Sequence, residues 1–203
     1  KSNELYTSPY HVGSGLFYLD QYLGKNILEE GLREFSSSNG KDSFKIILEN
    51  KSSKNLNWFF SDYITDREAF DLHIKNTLKN KTTTSITISE KNGRKLPFKL
   101  DFIKKDSIVK EKWYFHSGKD SIYKFKRGEY DYVAINSNRY LPEKNRHNNW
   151  KYLKPSHGIK PLKLTFYGDS ENLKRNQLFY HPISDFNVYD GFTAGMRIYN
   201  TRV

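Results

Sequence analysis

Residues 85–102 read SITISEKNGRKLPFKLDF, and this stretch decides the fold of the middle of the chain. Apolar residues recur at every second position in both halves, a period that predicts two strands, each burying one face. The intervening Lys91-Asn92-Gly93 is typical of a hairpin turn. Pro97 has no N–H to donate to a neighbouring strand, so its strand is predicted to be an edge strand or to begin near this residue.

The same alternation recurs on both sides of this stretch. It runs from Phe70 to Ile74, from Ile108 to Phe115, from Ser121 to Phe125 and from Tyr130 to Ile135. Six or seven short strands separated by turns predict an antiparallel β-sandwich of immunoglobulin type over residues 67–141. The segment shows no catalytic constellation of side chains, which favours a structural or spacer module.

Residues 1–66 have helical periodicity instead. Leu16, Leu19 and Leu23 form one apolar stripe, Gly24 suits a helix C-terminus, and Asn26 can cap the next helix. Such short amphipathic stretches predict a small helical bundle. The further helices are predicted from Ile27 to Phe35, from Phe44 to Leu48 after a Ser43 cap, and from Leu56 to Ile64 after an Asn55 cap.

Residues 142–203 are predicted to hold a linker and the start of a further β region. Apolar and polar residues alternate from Leu162 to Tyr167 and again from Phe192 to Tyr199, with a loop between them. Little sequence follows the second strand, so we expect the natural protein to continue and to cover its free edge. The fold class predicted for the whole chain is therefore α+β: a helical bundle, a β-sandwich and a β-rich tail.

The chain is basic, with a formal net charge of +11 over 203 residues. Such a balance is compatible with a module that binds nucleic acid or anionic lipid. The basic residues are scattered, however, and the densest runs, Lys104-Lys105 and Lys124-Phe125-Lys126-Arg127, are short. We interpret them as a basic, solvated surface and expect no nucleic-acid partner.

Several classes of protein are excluded or disfavoured by composition. Aromatic residues make up 16% of the chain, which favours packed cores over disorder. There is no Cys, so disulfides and thiolate metal sites are excluded. No apolar run approaches the length of a membrane-spanning helix. No signal peptide opens the sequence, and a fragment would lack one in any case.

Several short motifs occur together in a characteristic order. They are SPYHVG at residues 8–13, LFYLDQYLG at 16–24, LREF at 32–35 and LNWFFSDYI at 56–64. Together they resemble the M1 family of zinc aminopeptidases (gluzincins), in which a Pro-Tyr-Glu-Lys-Gly-like motif opens a helix and a closing helix precedes an immunoglobulin-like domain. Residues 142–149 and Asp190-Gly191-Phe192 are similar to M1-type proteins from Bacteroidetes-like bacteria.

The resemblance implies roles for two residues. In the family, the Tyr of the motif faces the scissile bond, and that role maps onto Tyr10, whose phenol would donate a hydrogen bond to the oxyanion. Gly13 would allow the substrate and the backbone to approach closely at the helix start. The chain departs from the family where the motif has Glu-Lys, because it has His11-Val12. We expect His11 to face solvent or to cap the helix.

The family's zinc motif is absent from this sequence. It consists of His-Glu-x-x-His on a helix, in which two His bind the ion and the Glu activates water, plus a distant Glu. The six His residues include no pair four residues apart and no His-Glu pair. We therefore expect no metal ligands in this chain, and expect the zinc of the parent protein to be bound by a segment upstream.

The leading hypothesis is a fragment of a zinc-dependent M1-like aminopeptidase that hydrolyses peptides by metal-activated water. The fragment alone would be inactive, and its partners would be the N-terminal catalytic region of the same protein and a peptide substrate. The family likeness and the tail imply association with the outer membrane and a location in the cell envelope. The main alternative is a non-catalytic M1-like scaffold that binds a partner there.

Overall fold

The computed structural model describes residues 9–38, 43–65, 70–138, 140–141, 143, 145–154, 160–189 and 191–200, without the side chains of residues 9 and 10. Helices occupy the first third of this part of the chain, and almost all strands after them pair antiparallel. The prediction of an α+β fold is therefore confirmed.

The first third contains four helical segments. Helix α1 (Pro9–Leu23) begins earlier than predicted and ends at Gly24, whose φ of 99° fits the expected C-terminus. Asn26 and Ser43 precede the next two helices, but neither side chain makes the expected capping hydrogen bond. The remaining segments are α2 (Ile27–Ser37), α3 (Phe44–Ser52) and a π-helix (Trp58–Thr65).

Seven strands form two sheets after the helices. One sheet has the order β1-β2-β5, and the other has the order β4-β3-β6-β7. Most of the β-branched and aromatic residues that predicted the strands lie within them, whereas Phe70 and Tyr130 lie just before β1 and β6. The strands are β1 (Leu72–Lys79), β2 (Thr83–Glu90), β3 (Lys95–Lys104), β4 (Ser107–Ser117), β5 (Ser121–Lys126), β6 (Tyr132–Ile135) and β7 (Trp150–Tyr152).

The two sheets enclose an aromatic core. The ring of Phe98 on β3 meets Tyr123 on β5 at a centroid distance of 5.7 Å, and Phe102 meets Phe125 at 5.2 Å. Ile86 and Ile88 on β2 are fully buried and belong to the same cluster. Apolar residues thus face inward from both sheets, as the alternation of residues 85–102 requires.

The turn at Lys91-Asn92-Gly93 does not form the predicted hairpin. Strand β2 pairs with β1 and β5, whereas β3 pairs with β4 and β6. The turn therefore carries the chain from one sheet to the other. Its backbone is held by the buried Glu90 carboxylate, which accepts hydrogen bonds from the N–H groups of Asn92 and Arg94 at 2.9 and 2.8 Å. Residues 91–93 do form a turn, as their sequence predicts, but a turn does not determine which strands pair.

Strand β3 is central rather than at an edge. Pro97 is its third residue, so the alternative prediction, that the strand begins near this proline, is confirmed. Pairing of β3 with β6 begins only at Leu100, so Pro97 is paired with β4 and not with β6. The missing N–H of Pro97 therefore costs no hydrogen bond to β6.

The second sheet extends beyond the range predicted for the sandwich. Strand β7 pairs with β6 through Tyr132↔Tyr152, Val133↔Lys151 and Ala134↔Trp150. The polar stretch before β7 contains a short 3₁₀ turn, His147–Asn149. The sheet thus ends at Tyr152 rather than at residue 141, because a strand of three residues gives too short an alternation to be recognised.

The tail forms a third sheet with the order β10-β9-β8. Strands β8 (Leu162–Phe166) and β10 (Gly191–Tyr199) were predicted, whereas β9 (Asn176–Asn187) falls in the stretch interpreted as a loop. Strand β10 pairs antiparallel with β9 over nine positions, which corrects the expectation that it lacks a partner within the chain. Strand β8 pairs parallel with the first part of β9.

The helices and the two sheets share one continuous hydrophobic core. Tyr18 and Tyr22 of α1 place their rings 5.3 Å from the ring of Trp113 on β4, in edge-to-face geometry. Within the described ranges, no helix combines the length and the apolar composition that crossing a bilayer requires.

Candidate functional site

The two residues assigned by family resemblance lie in α1. Tyr10 is in its first turn, and its side chain lies outside the described part of the structure. Gly13 is exposed, and a Cβ atom added there would meet no described atom within 4 Å. The backbone at Gly13 is thus open, among the described residues, on the side where a Cβ atom would lie.

His11, next to Tyr10, is buried rather than solvent-facing. Only 6% of its surface is exposed, and its ring stacks on that of Tyr63 at 4.2 Å with an interplanar angle of 13°. The Tyr63 hydroxyl donates a 2.7 Å hydrogen bond to the carbonyl oxygen of His11. The expectation that His11 faces solvent or caps the helix is therefore wrong, because Tyr63 of the π-helix covers its ring.

Close packing against Tyr63 depends on Gly15. A Cβ atom at residue 15 would lie 2.1 Å from Cε1 of Tyr63, a distance that real atoms do not tolerate. The Tyr63 ring cannot easily yield, because it is fully buried and also stacks on Phe59 at 5.6 Å. The sequence analysis predicted a close approach to the helix backbone at Gly13. Within the described part of α1, the close approach is instead at Gly15, two residues later.

A buried polar network joins α1 to the second sheet. The Tyr18 hydroxyl donates to Oδ1 of Asn136 at 2.8 Å, with the carbonyl oxygen of Pro97 at 3.1 Å. The Nδ2 group of Asn136 donates to Glu143 Oε1 at 3.2 Å, and Nδ2 of Asn149 donates to Glu143 Oε2 at 2.8 Å. Tyr18 is fully buried, and burial raises its pKa well above the usual value.

Glu143 is the most perturbed carboxyl group of the network. Its carboxyl is enclosed although the residue as a whole is only partly buried, and this enclosure raises its pKa to about 7. The hydrogen bonds from Asn149 and Asn136 act in the opposite direction. The space around it, between Leu141, Arg146 and Asn149, has no room for a water molecule. A substrate cannot reach this carboxyl, so we assign it to structure rather than to catalysis.

Sequence reasoning missed this network. Asn136 adopts a left-handed backbone conformation with φ of 46°, a conformation in which Asn is enriched. Residues 136–138 read Asn-Ser-Asn, a turn signal that could have been noticed. Its partner Tyr18 lies 118 residues earlier in the chain, however, and local pattern carries no information about such a contact.

The described residues do not fit a metal ion. No group of three or more His, Asp or Glu side chains is gathered in the part of the chain that the structure describes. His147 lies 2.5 Å from Glu171, but this is a single exposed pair. His157 lies outside the described residues. A zinc ion would therefore need ligands other than these side chains.

No protein-family model, no curated protein and no solved structure matches this chain.

Proposed function

We propose that this chain forms the closing helices and the following β-sandwich of an M1-like zinc aminopeptidase. The observation that supports the proposal is the position of the backbone at Tyr10. The first turn of α1, which contains Tyr10, is held against the π-helix by the ring stack and the hydrogen bond between His11 and Tyr63. A catalytic phenol requires a fixed backbone of this kind, because a misplacement of about 1 Å can cost ~10²-fold in rate.

The sandwich supports the same proposal. Its sheets, β1-β2-β5 and β4-β3-β6-β7, are antiparallel and pack face to face, which is compatible with an immunoglobulin-like module. The module follows the π-helix after a short connection, which agrees with the order of domains in the family. Its core residues are largely apolar and aromatic. Among its buried polar residues, Glu90 holds the turn after β2 and Asn136 binds Tyr18 of α1.

In this proposal, Tyr10 donates a hydrogen bond to the oxyanion that forms during peptide hydrolysis. A phenol remains protonated at neutral pH and is suited to this role. The open backbone at Gly13 leaves room for a peptide substrate beside it. Because the sequence lacks His-Glu-x-x-His, the proposal assigns the zinc to the N-terminal catalytic region of the same protein, and the family likeness supports a location at the cell envelope.

The test uses the natural polypeptide that contains this chain. We expect Tyr10→Phe to lower the turnover of an aminoacyl p-nitroanilide by about 10²–10³-fold, the typical effect of removing an oxyanion donor. Zinc content, measured by atomic absorption, should stay unchanged. Tyr22→Phe is the matched control, because Tyr22 lies in the same helix against Trp113. Unchanged turnover in Tyr10→Phe would refute the role of Tyr10.

A second candidate is a non-catalytic scaffold of the same fold. It is favoured by His11-Val12, which replaces the family's Glu-Lys: His11 is buried in packing, and Val12 is 46% exposed. Neither side chain supplies the acid or the base that the family has there. A natural polypeptide that binds no zinc and hydrolyses no aminoacyl substrate would establish this candidate and exclude the first.

A further inference from the structure

The β8–β9–β10 sheet has one apolar face that the described chain leaves uncovered. The register places most apolar residues of the three strands on this face, whereas Phe179, Ile183 and Tyr199 lie on the other. Phe186 and Phe192 are paired and about seven-tenths exposed, and Met196 is 60% exposed. The apolar members of this outer face are Leu162, Leu164, Phe166, Leu178, Tyr180, Pro182, Phe186, Phe192, Ala194, Met196 and Ile198.

The opposite face of the sheet carries the charged residues, and it is partly covered, with Phe179 buried on it. All three charged residues of the strands, Lys163, Asp185 and Arg197, lie on it. At its base, Gln177 is buried and donates to Oγ1 of Thr165 at 3.1 Å, so that the chain's own loop packs there. The charge segregation is complete over the three strands, which is the pattern of strands that face lipid on one side.

Beyond β8, the sheet continues as a two-stranded ribbon that ends in an apolar tip. Val188 and Tyr189 at the β9–β10 turn are 88% and 94% exposed. A two-stranded ribbon is marginally stable in water unless a further layer covers its apolar face. The outer face and its tip therefore need an apolar environment.

A second copy of the chain is the alternative occupant of this face. It would have to present a surface complementary to the face, whereas a bilayer imposes no such requirement, because the hydrocarbon adapts to the face.

Charge complementarity also points to lipid. Exposed Arg175 lies immediately before β9, at the end of the sheet opposite to the apolar tip, and Lys163 lies near the same end. A cavity of about 270 Å³ opens there, lined by Arg175, Asn176 and the paired His147 and Glu171 among others. Basic groups at one end of an apolar band match anionic headgroups beside hydrocarbon.

We propose that the outer face of the β8–β9–β10 sheet, with its tip, packs against the hydrocarbon of a lipid bilayer while the basic end contacts the headgroups. This inference depends on the two faces of the sheet and does not depend on the proposed peptidase function.

The test is flotation of the purified chain with phosphatidylcholine vesicles, with and without phosphatidylglycerol. We expect binding to both, and tighter binding to the anionic vesicles. Met196→Asn should weaken binding to both by about tenfold, the effect of losing one buried apolar side chain. The matched control is Ile183→Asn, because Ile183 lies on the opposite face of the same hairpin and should leave binding unchanged.

Arg175→Gln completes the design. It should weaken binding about fivefold to anionic vesicles and leave binding to neutral ones unchanged. The thermal unfolding of each variant shows that it is folded. Absence of vesicle binding, or equal losses in Met196→Asn and Ile183→Asn, would overturn the proposal. So would a concentration-dependent dimer in sedimentation that Met196→Asn abolishes, because a second copy would then cover the face.

Discussion

The hydroxyl of Tyr18 in α1 lies 2.8 Å from Oδ1 of Asn136, the residue that follows β6. The same oxygen accepts the backbone N–H of Lys99 on β3 at 2.9 Å. One amide oxygen thus connects the first helix, the central strand and the loop after β6. Because all these groups are buried, the contact fixes the helices on the second sheet.

Removing this contact should destabilise the chain as a unit. Tyr18→Phe keeps the ring that packs against Trp113 but removes the donor, so we expect a loss of about 1–2 kcal/mol in the free energy of unfolding. The measurement is urea denaturation followed by tryptophan fluorescence. Tyr22→Phe is the control, because its hydroxyl has no hydrogen-bond partner among the described residues, and an equal loss there would contradict the role of the Asn136 contact.

Two glycines of α1 should respond oppositely to alanine. Gly15→Ala places a methyl group against the buried Tyr63 ring, and we expect about 1–3 kcal/mol of destabilisation from overpacking. Gly13→Ala has free space around it and should stabilise the helix by up to about 1 kcal/mol. Thermal unfolding of both variants measures the difference. A stabilised Gly15→Ala would show that α1 and the π-helix do not pack as described.

The close contact between the turns that contain Gly93 and Gly118 gives a similar test in the two-sheet region. Gly118 has φ of 85°, and an added Cβ would lie 2.3 Å from the Gly93 carbonyl oxygen. Gly118→Ala should therefore cost more than the roughly 1 kcal/mol expected from the left-handed conformation alone. Gly128→Ala, with φ of 78° and no neighbour within 4 Å, isolates that conformational part. Equal losses in the two variants, measured by chemical denaturation, would mean that the two turns are not in contact.

The pH dependence of stability should reveal Glu143. Its pKa rises from 4.5 in the unfolded chain to about 7 in the fold, so the folded chain holds a proton that the unfolded chain has lost between these values. Stability therefore falls as pH rises from about 4.5 to 7, by about 3 kcal/mol from this group. Burial is the main cause of the raised pKa of Glu143. The positive charge of Arg146 lowers this pKa and the negative charge of Asp71 raises it.

The variant Glu143→Gln isolates this effect. It should flatten the fall in stability between pH 5 and pH 7 (an interval set by the two pKa values), whereas exposed Glu30→Gln should leave it unchanged. Urea midpoints measured at several pH values compare the variants. A slope in Glu143→Gln as steep as that of the unchanged protein would assign the dependence to other groups, among them Asp101, whose pKa burial also raises.

Much of the secondary structure could be read directly from the sequence. The alternation at Ile86 and Ile88, and again at Phe98 and Leu100, predicts both strands, because side chains point to opposite sides of a strand in turn. The prediction that each strand buries one face is wrong for β3, where Lys99 and Asp101 on the other face are buried as well. The helix end at Gly24 was likewise predicted, because glycine adopts the left-handed conformation at little cost. These features depend on neighbours within a few residues.

Only the tertiary structure decided which elements meet. Alternation shows which face of a strand is buried but not its partner, so the move of the chain between sheets at Gly93 could not be predicted. The burial of His11 beneath Tyr63 joins residues 52 apart, and the Tyr18–Asn136 contact joins residues 118 apart. Such contacts depend on the packing of the whole core, whose shape no local pattern encodes.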